Sequence, residues 1–184
     1  MGWVPGALWL VFLGTFYESH RRVRAQQQAG GPPERRIRRD PSSDAGMALQ
    51  FAAVAIVLIW PPRQSWLLPG LIVAAFSIWL AHSALTWLGR QWRVQAVVTD
   101  DHELITGGPY QWIRHPVYSA FLGMLVATIL LRWNPASALL ALVTFVTGTE
   151  RRVRAEERLL TDMFQDRFSR YKAATKWAYL PGLR

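Results

Sequence analysis

An all-α integral membrane domain, with about five transmembrane helices and a C-terminal amphipathic helix, is the fold class this sequence predicts. Three observations carry that expectation. Half of the 184 residues are hydrophobic, and ten are tryptophan. The net charge is nonetheless +9, so apolar and basic residues must be segregated along the chain. Finally, the arginines flank apolar runs instead of decorating a soluble recognition element, which argues against a nucleic-acid partner. No βαβ pattern and no GxGxxG run speaks for a dinucleotide-binding sheet.

The first apolar run, Trp3 to Tyr17, carries no charge. Its basic residues follow it and no small-residue cleavage site is evident, so it predicts an uncleaved span ending near Glu18 and His20. Residues 21–46 change character, with seven arginines among Gly, Pro and Ser. That composition predicts a solvated cytosolic loop, attracted to anionic lipid headgroups or lying over a substrate entrance. Met47 to Trp60 is apolar apart from one glutamine, Gln50. It is short for a bilayer that needs about 20 residues, which suggests a start nearer Ser43. Pro61-Pro62-Arg63 breaks it, and Trp66 to Leu88 forms the next run, so the pair predicts an antiparallel hairpin. Phe121 to Leu131 and Ala136 to Gly148, joined at Arg132-Trp133-Asn134-Pro135, predict a second hairpin. A charged helix from Glu150 to about Lys172 should follow. Its apolar positions Val153, Leu160, Phe164, Phe168 and Tyr171 make one stripe, so it should dock on the membrane domain or its surface.

Charge sorts the ends of these runs. Of the 21 Lys and Arg, all but Arg63 and Arg132 fall on one side of a five-span arrangement. The positive-inside rule makes that side cytoplasmic, with the N-terminus external and the C-terminus cytoplasmic. Trp3, Trp60, Trp66 and Trp133 lie near the outer ends, and Trp87, Trp92, Trp112 and Trp177 near the inner ends, as aromatic belts do. The chain thus divides into an N-terminal transmembrane part, 1–88, and a region 89–184 that holds the chemistry.

That chemistry centres on Gln95 to Tyr118, a polar stretch between apolar blocks. It contains two histidines, two tyrosines, an arginine and a Gly-Gly-Pro turn. We read it as most of a cofactor pocket at a membrane surface. Pro116 pushes His115 out of helical geometry and suits the first turn of the next span. A histidine at that mouth could donate to an anionic ligand group, helped by backbone N–H groups at the helix start. Arg152 and Glu156 are four apart and share a helix face. At a cytosol–lipid boundary they could sort a cationic cofactor from an anionic substrate. His82, inside a span, is either functional or a neutral histidine bonded to a neighbouring helix. The chain has no cysteine, and its four histidines form no HExxH or similar spacing, so no metal site is expected.

The run HELITGGPYQWIRHPVY, followed after one hairpin by RVRAEERLL…F…RY, resembles the isoprenylcysteine carboxyl methyltransferase family and its bacterial relatives. The wider set includes phospholipid N-methyltransferases. The resemblance covers roughly residues 85–184. It implies S-adenosylmethionine as methyl donor, held at the cytosolic face. By position it implies cofactor contacts from Gln95, His102, Glu103, Leu104, Ile105, Tyr110, His115, Pro116, Val117, Tyr118 and Glu156. It places Arg152 where a substrate-contacting, catalytic arginine stands. Glu103 stands where eukaryotic members tend to carry a small polar residue, and Val117 where Ser or Asn is frequent. The long Arg-rich loop at 21–40 lies outside the resemblance.

Methyl transfer from a sulfonium is an in-line displacement that mostly needs positioning and exclusion of water. A carboxylate acceptor is a nucleophile without a base, in keeping with the absence of a Ser/His/Asp or Cys/His set. Arg152 would orient it. His115 and nearby N–H groups would hold the cofactor's carboxylate, and Glu156 its amino or ribose hydroxyl groups. The lipophilic part of the substrate would arrive sideways from the bilayer. The alternative enzyme is a phospholipid or small-molecule N- or S-methyltransferase acting on an amine or thiol; an amine must lose a proton and would need a base, with Glu157 or Glu103 as candidates. A non-enzymatic lipid-binding scaffold is a further alternative. The identity of the acceptor and the oligomeric state stay open.

Overall fold

The structure is a computed structural model and describes residues 2–28, 36–93, 97–99 and 102–182. Gln95 lies outside the described residues. Among the described residues six α-helices dominate: α1 (Val4–Gln28), α2 (Ser42–Ile59), α3 (Leu67–Leu88), α4 (Pro116–Leu131), α5 (Pro135–Phe164) and α6 (Asp166–Ala174). Strands β1 (Arg36–Arg39) and β2 (Val97–Thr99) pair antiparallel.

Helix ends follow local chemistry. Gly89 takes φ +49°, and its N–H bonds the Leu85 carbonyl, so α3 stops there. Asn134 caps α5 by accepting from the Ala136 N–H at 3.1 Å, with Pro135 in the first turn. Pro116 opens α4, and His115 before it is outside helical geometry at φ −130° and ψ 63°, as the Arg-His-Pro run predicts. Helix α2 begins at Ser42, matching the earlier start that bilayer thickness demands. The Asp40 carboxylate accepts from the Ser42 N–H at 2.9 Å and from Arg158 at 2.8 Å, which ties the head of α2 to α5.

Helix α4 is the centre of the bundle. Its Ala120, Met124 and Ala127 pack against Trp9 and Phe12 of α1 and Ala74, Leu80 and Ala81 of α3. Leu122, Leu125 and Ile129 pack against Ala53 and Val57 of α2 and Ala138, Ala141 and Phe145 of α5. Tryptophan Trp9 reaches across to α4 and donates to Thr128 at 3.0 Å.

Several expectations need correction. The two predicted hairpins do not pack chiefly as sequence neighbours: α2 lies along α5 and α3 along α4. Gly46 and Gly148 explain the first pairing. A Cβ on Gly148 would stand 2.6 Å from the Gly46 carbonyl, so only glycine lets these backbones come so close. Their tips interlock as well. Trp133 exchanges backbone hydrogen bonds with Arg63 and Gln64, and Arg132 donates to the Val57, Leu58 and Trp60 carbonyls. The last apolar run and the charged helix are one continuous α5, because nothing between Gly148 and Phe164 breaks it. Gln165, at φ +46°, ends it, and α6 starts afresh, so no single helix reaches Lys172. Helix α1 runs on through the arginines to Gln28, since Arg, Gln and Ala favour helix. Part of the expected loop 21–46 is therefore helix and part is strand β1.

Among the described residues, Ser42–Ile59 and Leu67–Gln91 are long and apolar enough to cross a membrane. Helix α4 is as apolar but spans only 16 residues. Large apolar side chains face outward on several helices, including Ile72, Phe76 and Trp79 on α3 and Leu139 and Val143 on α5. His82 is exposed on the outside of α3, away from the centre of the bundle.

Candidate functional site

One cavity of about 520 Å³ runs along the bundle between α1 and α2 and ends beneath α5 and α6. Its size is typical of a small-molecule site. The arm between α1 and α2 is apolar, with Leu13, Phe16, Met47, Phe51 and Val54 on its walls and Phe121 of α4 behind. The other end is charged.

The turn into that end depends on glycine. Gly108 takes φ +59°, and Gly107 and Gly108 lie flat on the indole of Trp87, where any Cβ would collide. The tight turn that follows buries Tyr110 in the cavity wall. Tyr171 of α6 holds the turn by donating to the Tyr110 carbonyl at 2.6 Å. Burial pushes the Tyr171 phenol up to about 12, against the pull of Arg114, so it stays a donor. The Tyr110 hydroxyl is buried and has no hydrogen-bond partner among the described residues. Its own burial and the nearby Glu156 carboxylate hold its phenol well above the usual range, so this too is a donor.

A chain of charges lies beside it. Arg152 donates through Nε to the Tyr118 hydroxyl at 2.9 Å, and its guanidinium stacks 5.2 Å from that ring's centre. The Tyr118 hydroxyl in turn donates to Glu156. Nδ1 of His115 is 3.2 Å from the other Glu156 oxygen, and Nε2 is 3.6 Å from Glu157. Burial opposes charge on His115, but the two carboxylates outweigh it and raise its pKa. Burial likewise opposes charge on Glu156, yet His115, Arg152 and Tyr118 pull its pKa down, so it is an anion at neutral pH.

The residues singled out in the sequence are placed as follows. His102, Glu103, Leu104, Ile105, Tyr110, His115, Val117, Tyr118, Arg152 and Glu156 all line this cavity. Pro116 is buried and opens α4 without being part of the lining. His115, expected to hold the cofactor's carboxylate, stands beside two glutamates. Its backbone N–H donates to the Ala178 carbonyl at 2.7 Å, and the Arg114 backbone N–H donates to the Trp177 carbonyl at 3.0 Å. Both ring nitrogens face carboxylates. Nδ1 thereby orients Glu156, while Nε2 is buried with no hydrogen-bond partner among the described residues.

Sequence reasoning missed Arg114 and Glu157 as a pair. Arg114 Nε bonds Glu157 at 3.0 Å, with both side chains buried, and Lys172 adds a third contact at 2.6 Å. Burial works against the Glu157 charge, but His115, Lys172 and Arg114 hold its carboxyl far below the usual range. Arg114 also donates to the Thr175 and Lys176 carbonyls. It thereby clamps the C-terminal tail over the start of α4, where Ser119 bonds the Tyr179 carbonyl and Tyr179 donates to Glu150. The only hint in the sequence was the buried-charge composition of the Arg-His-Pro and Glu-Glu runs.

Fold and site together define a helical domain around a cavity with charged residues from α4 and α5 in one part of its lining and apolar residues of α1 and α2 in another. The profile of the isoprenylcysteine carboxyl methyltransferase (ICMT) family matches residues 70–162, and the chain belongs to that family. Among its relatives is a protein-S-isoprenylcysteine O-methyltransferase of Saccharomyces cerevisiae, 35% identical over 39% of this chain and 30% of that protein. A protein of the same name from Dictyostelium discoideum is 29% identical over 72% of this chain and 54% of that protein. An uncharacterized protein of Bacillus subtilis, YpbQ, is 27% identical over 62% of this chain and 67% of its own length. The chain spans between about a third and about half of the first two relatives.

Proposed function

We propose that this chain is an S-adenosylmethionine-dependent methyltransferase of the membrane, acting on a lipophilic carboxylate of the prenylcysteine type. The observation that carries this reading is one cavity that joins a cation–anion end, Arg152 and Glu156, to an apolar arm lined from Met47 to Leu58 along α2. Five spans, with the N-terminus external and the site at the cytosolic face, fit the charge sorting and the outward apolar side chains. The apolar wall comes largely from residues 1–88, the charged end from 89–184. Arg21, Arg22 and Arg24, after the apolar run of α1, would face anionic headgroups.

The lining fits the cofactor on one feature above all: the buried Tyr110 hydroxyl, a donor with no partner among the described residues, beside an anionic Glu156. When bound, the cofactor supplies an activated methyl group on a sulfonium. Glu156 would hold its amino or ribose hydroxyl groups, and His115 keeps Glu156 in place. His102 to Ile105 would form the roof. Arg152, braced on Tyr118, would orient the acceptor carboxylate, and the apolar walls exclude water. No residue need take a proton, since a carboxylate carries none at neutral pH.

An amine acceptor is the second reading. Glu157 is held in ion pairs with Arg114 and Lys172, which leaves Glu103, a cavity-lining residue, as the base that reading requires. A screen of lipophilic acids, amines and thiols with methyl-labelled donor separates the readings. The expected product releases its label in mild base, as an ester does. Base-stable label on an amine or thiol would replace this reading, and absence of transfer to any acceptor would point to a lipid-binding scaffold.

A further inference from the structure

The face that α3 turns away from the bundle carries one side chain that its surroundings do not explain. Ala74, Leu80 and Ala81 pack inward against α1 and α4. Outward lie Leu68, Ile72, Ala75, Trp79, His82 and Thr86, all exposed and alternately four and three residues apart. That alternation is the seam along which two α-helices pack side by side. At 22 residues α3 is about 33 Å long, close to the thickness of a bilayer's hydrocarbon core. His82 precedes the last residue of α3, Leu88, by about 9 Å of helix, so it lies inside that thickness.

Exposed hydroxyls on the same face and on α5 are satisfied within their own helix. Thr86 donates to the His82 carbonyl at 2.8 Å, and Thr144 and Thr147 donate at 2.8 Å to the Leu140 and Val143 carbonyls one turn back. The His82 ring makes no such bond and has no hydrogen-bond partner among the described residues. Hydrocarbon offers it none, so a polar ring at that depth is costly unless another protein surface meets it.

A second copy of α3 supplies that surface. The seam carries no Lys, Arg, Asp or Glu, so it selects no partner by charge. Two copies enter a bilayer the same way round, and a two-fold axis along the membrane normal sets their helices parallel, with each seam position opposite itself. His82 then faces His82 of the partner subunit. An uncharged imidazole has one N–H and one bare nitrogen, so one ring donates to the other. Ala75, small and exposed, lets the backbones approach. One polar position in such a seam sets register and partner number.

We propose that the outward face of α3 is a homodimer interface within the bilayer, fixed by a hydrogen bond between the two His82 rings across the two-fold axis. The inference rests on α3 spanning the membrane, as proposed above, and not on the identity of the methyl acceptor.

The chain has no cysteine, so single cysteines report contacts without background. Full-length Ala75→Cys, Thr86→Cys and Leu139→Cys, the last on the outward face of α5, are reconstituted in phosphatidylcholine vesicles and oxidised with copper phenanthroline. Ala75→Cys and Thr86→Cys should give disulfide dimers much faster than Leu139→Cys, and should still do so when the vesicles are diluted with lipid. Adding His82→Leu to Ala75→Cys should weaken association about 3- to 30-fold, the range for one interhelical hydrogen bond. His82→Gln, which keeps a donor and an acceptor, should recover most of that loss. Equal cross-linking at all three positions, or association untouched by His82→Leu, overturns the proposal and leaves lipid as the cover of this face. Rapid labelling of Ala75→Cys in the vesicles by a membrane-impermeant maleimide overturns the spanning reading of α3, and the proposal with it.

Discussion

Replacing Arg152 by lysine should lower kcat/KM for a lipophilic acid about 100-fold while S-adenosylmethionine still binds. The arginine is 8% exposed, and its guanidinium plane is set by Nε bonding to Tyr118 and by stacking on that ring. A planar fork held this way can meet both oxygens of a carboxylate. Lysine keeps the charge but offers a single flexible ammonium, so the acceptor would be held without orientation. Because Tyr118 still bonds Glu156 in that variant, the cofactor end should survive. Steady-state rates alongside direct donor binding check the separation. A parallel loss of donor affinity would mean that Arg152 serves the cofactor instead.

Glu157→Ala should cost about 3–5 kcal/mol of folding stability, the usual penalty for stripping one partner from a buried ion pair. It would leave Arg114 and His115 buried without that carboxylate and loosen Lys172. Thermal unfolding in detergent measures the loss. The same cluster sets a pH dependence. Glu157 has its pKa depressed from 4.5, so its contribution holds above that value and disappears only as pH falls through the lower folded value. His115 has its pKa raised from 6.5, so its contribution is full below 6.5 and is lost as pH rises through the higher folded value. Wild type should therefore lose stability on the alkaline side. In Glu157→Gln, with one carboxylate fewer around His115, that loss should begin at lower pH. An alkaline limb that does not move would remove His115 from this account.

Much of the site could be read from residue spacing. Pro116 fixes a helix start directly after His115, and the four-residue interval puts Arg152 and Glu156 on one face. Both are local rules, and the structure brings these positions to one cavity. What escaped was decided across the chain. Glu157, next to Glu156, points a third of a turn away and meets Arg114, 43 residues earlier. No local rule says which of two adjacent glutamates faces the cavity. Helix α2 pairs with α5 because Gly46 meets Gly148, a match between two small residues that periodicity cannot locate. Gln50 looked like a flaw in an apolar run until Thr149 stood opposite it. The tail beyond Thr175 carries no helix or strand period, and its place comes from contacts with Arg114, His115, Ser119 and Glu150, all distant in sequence.

The central claim is that two separate segments, the turn through Tyr110 and His115 and the helix face of Arg152 and Glu156, enclose one small charged cofactor. Calorimetric titration of S-adenosylmethionine into wild type, His115→Ala and Glu156→Ala tests it most directly. The account predicts saturable binding to wild type and at least about tenfold weaker binding to both variants, the loss expected for a charge-assisted hydrogen bond. Equal heats from all three proteins, or none from any, would contradict it.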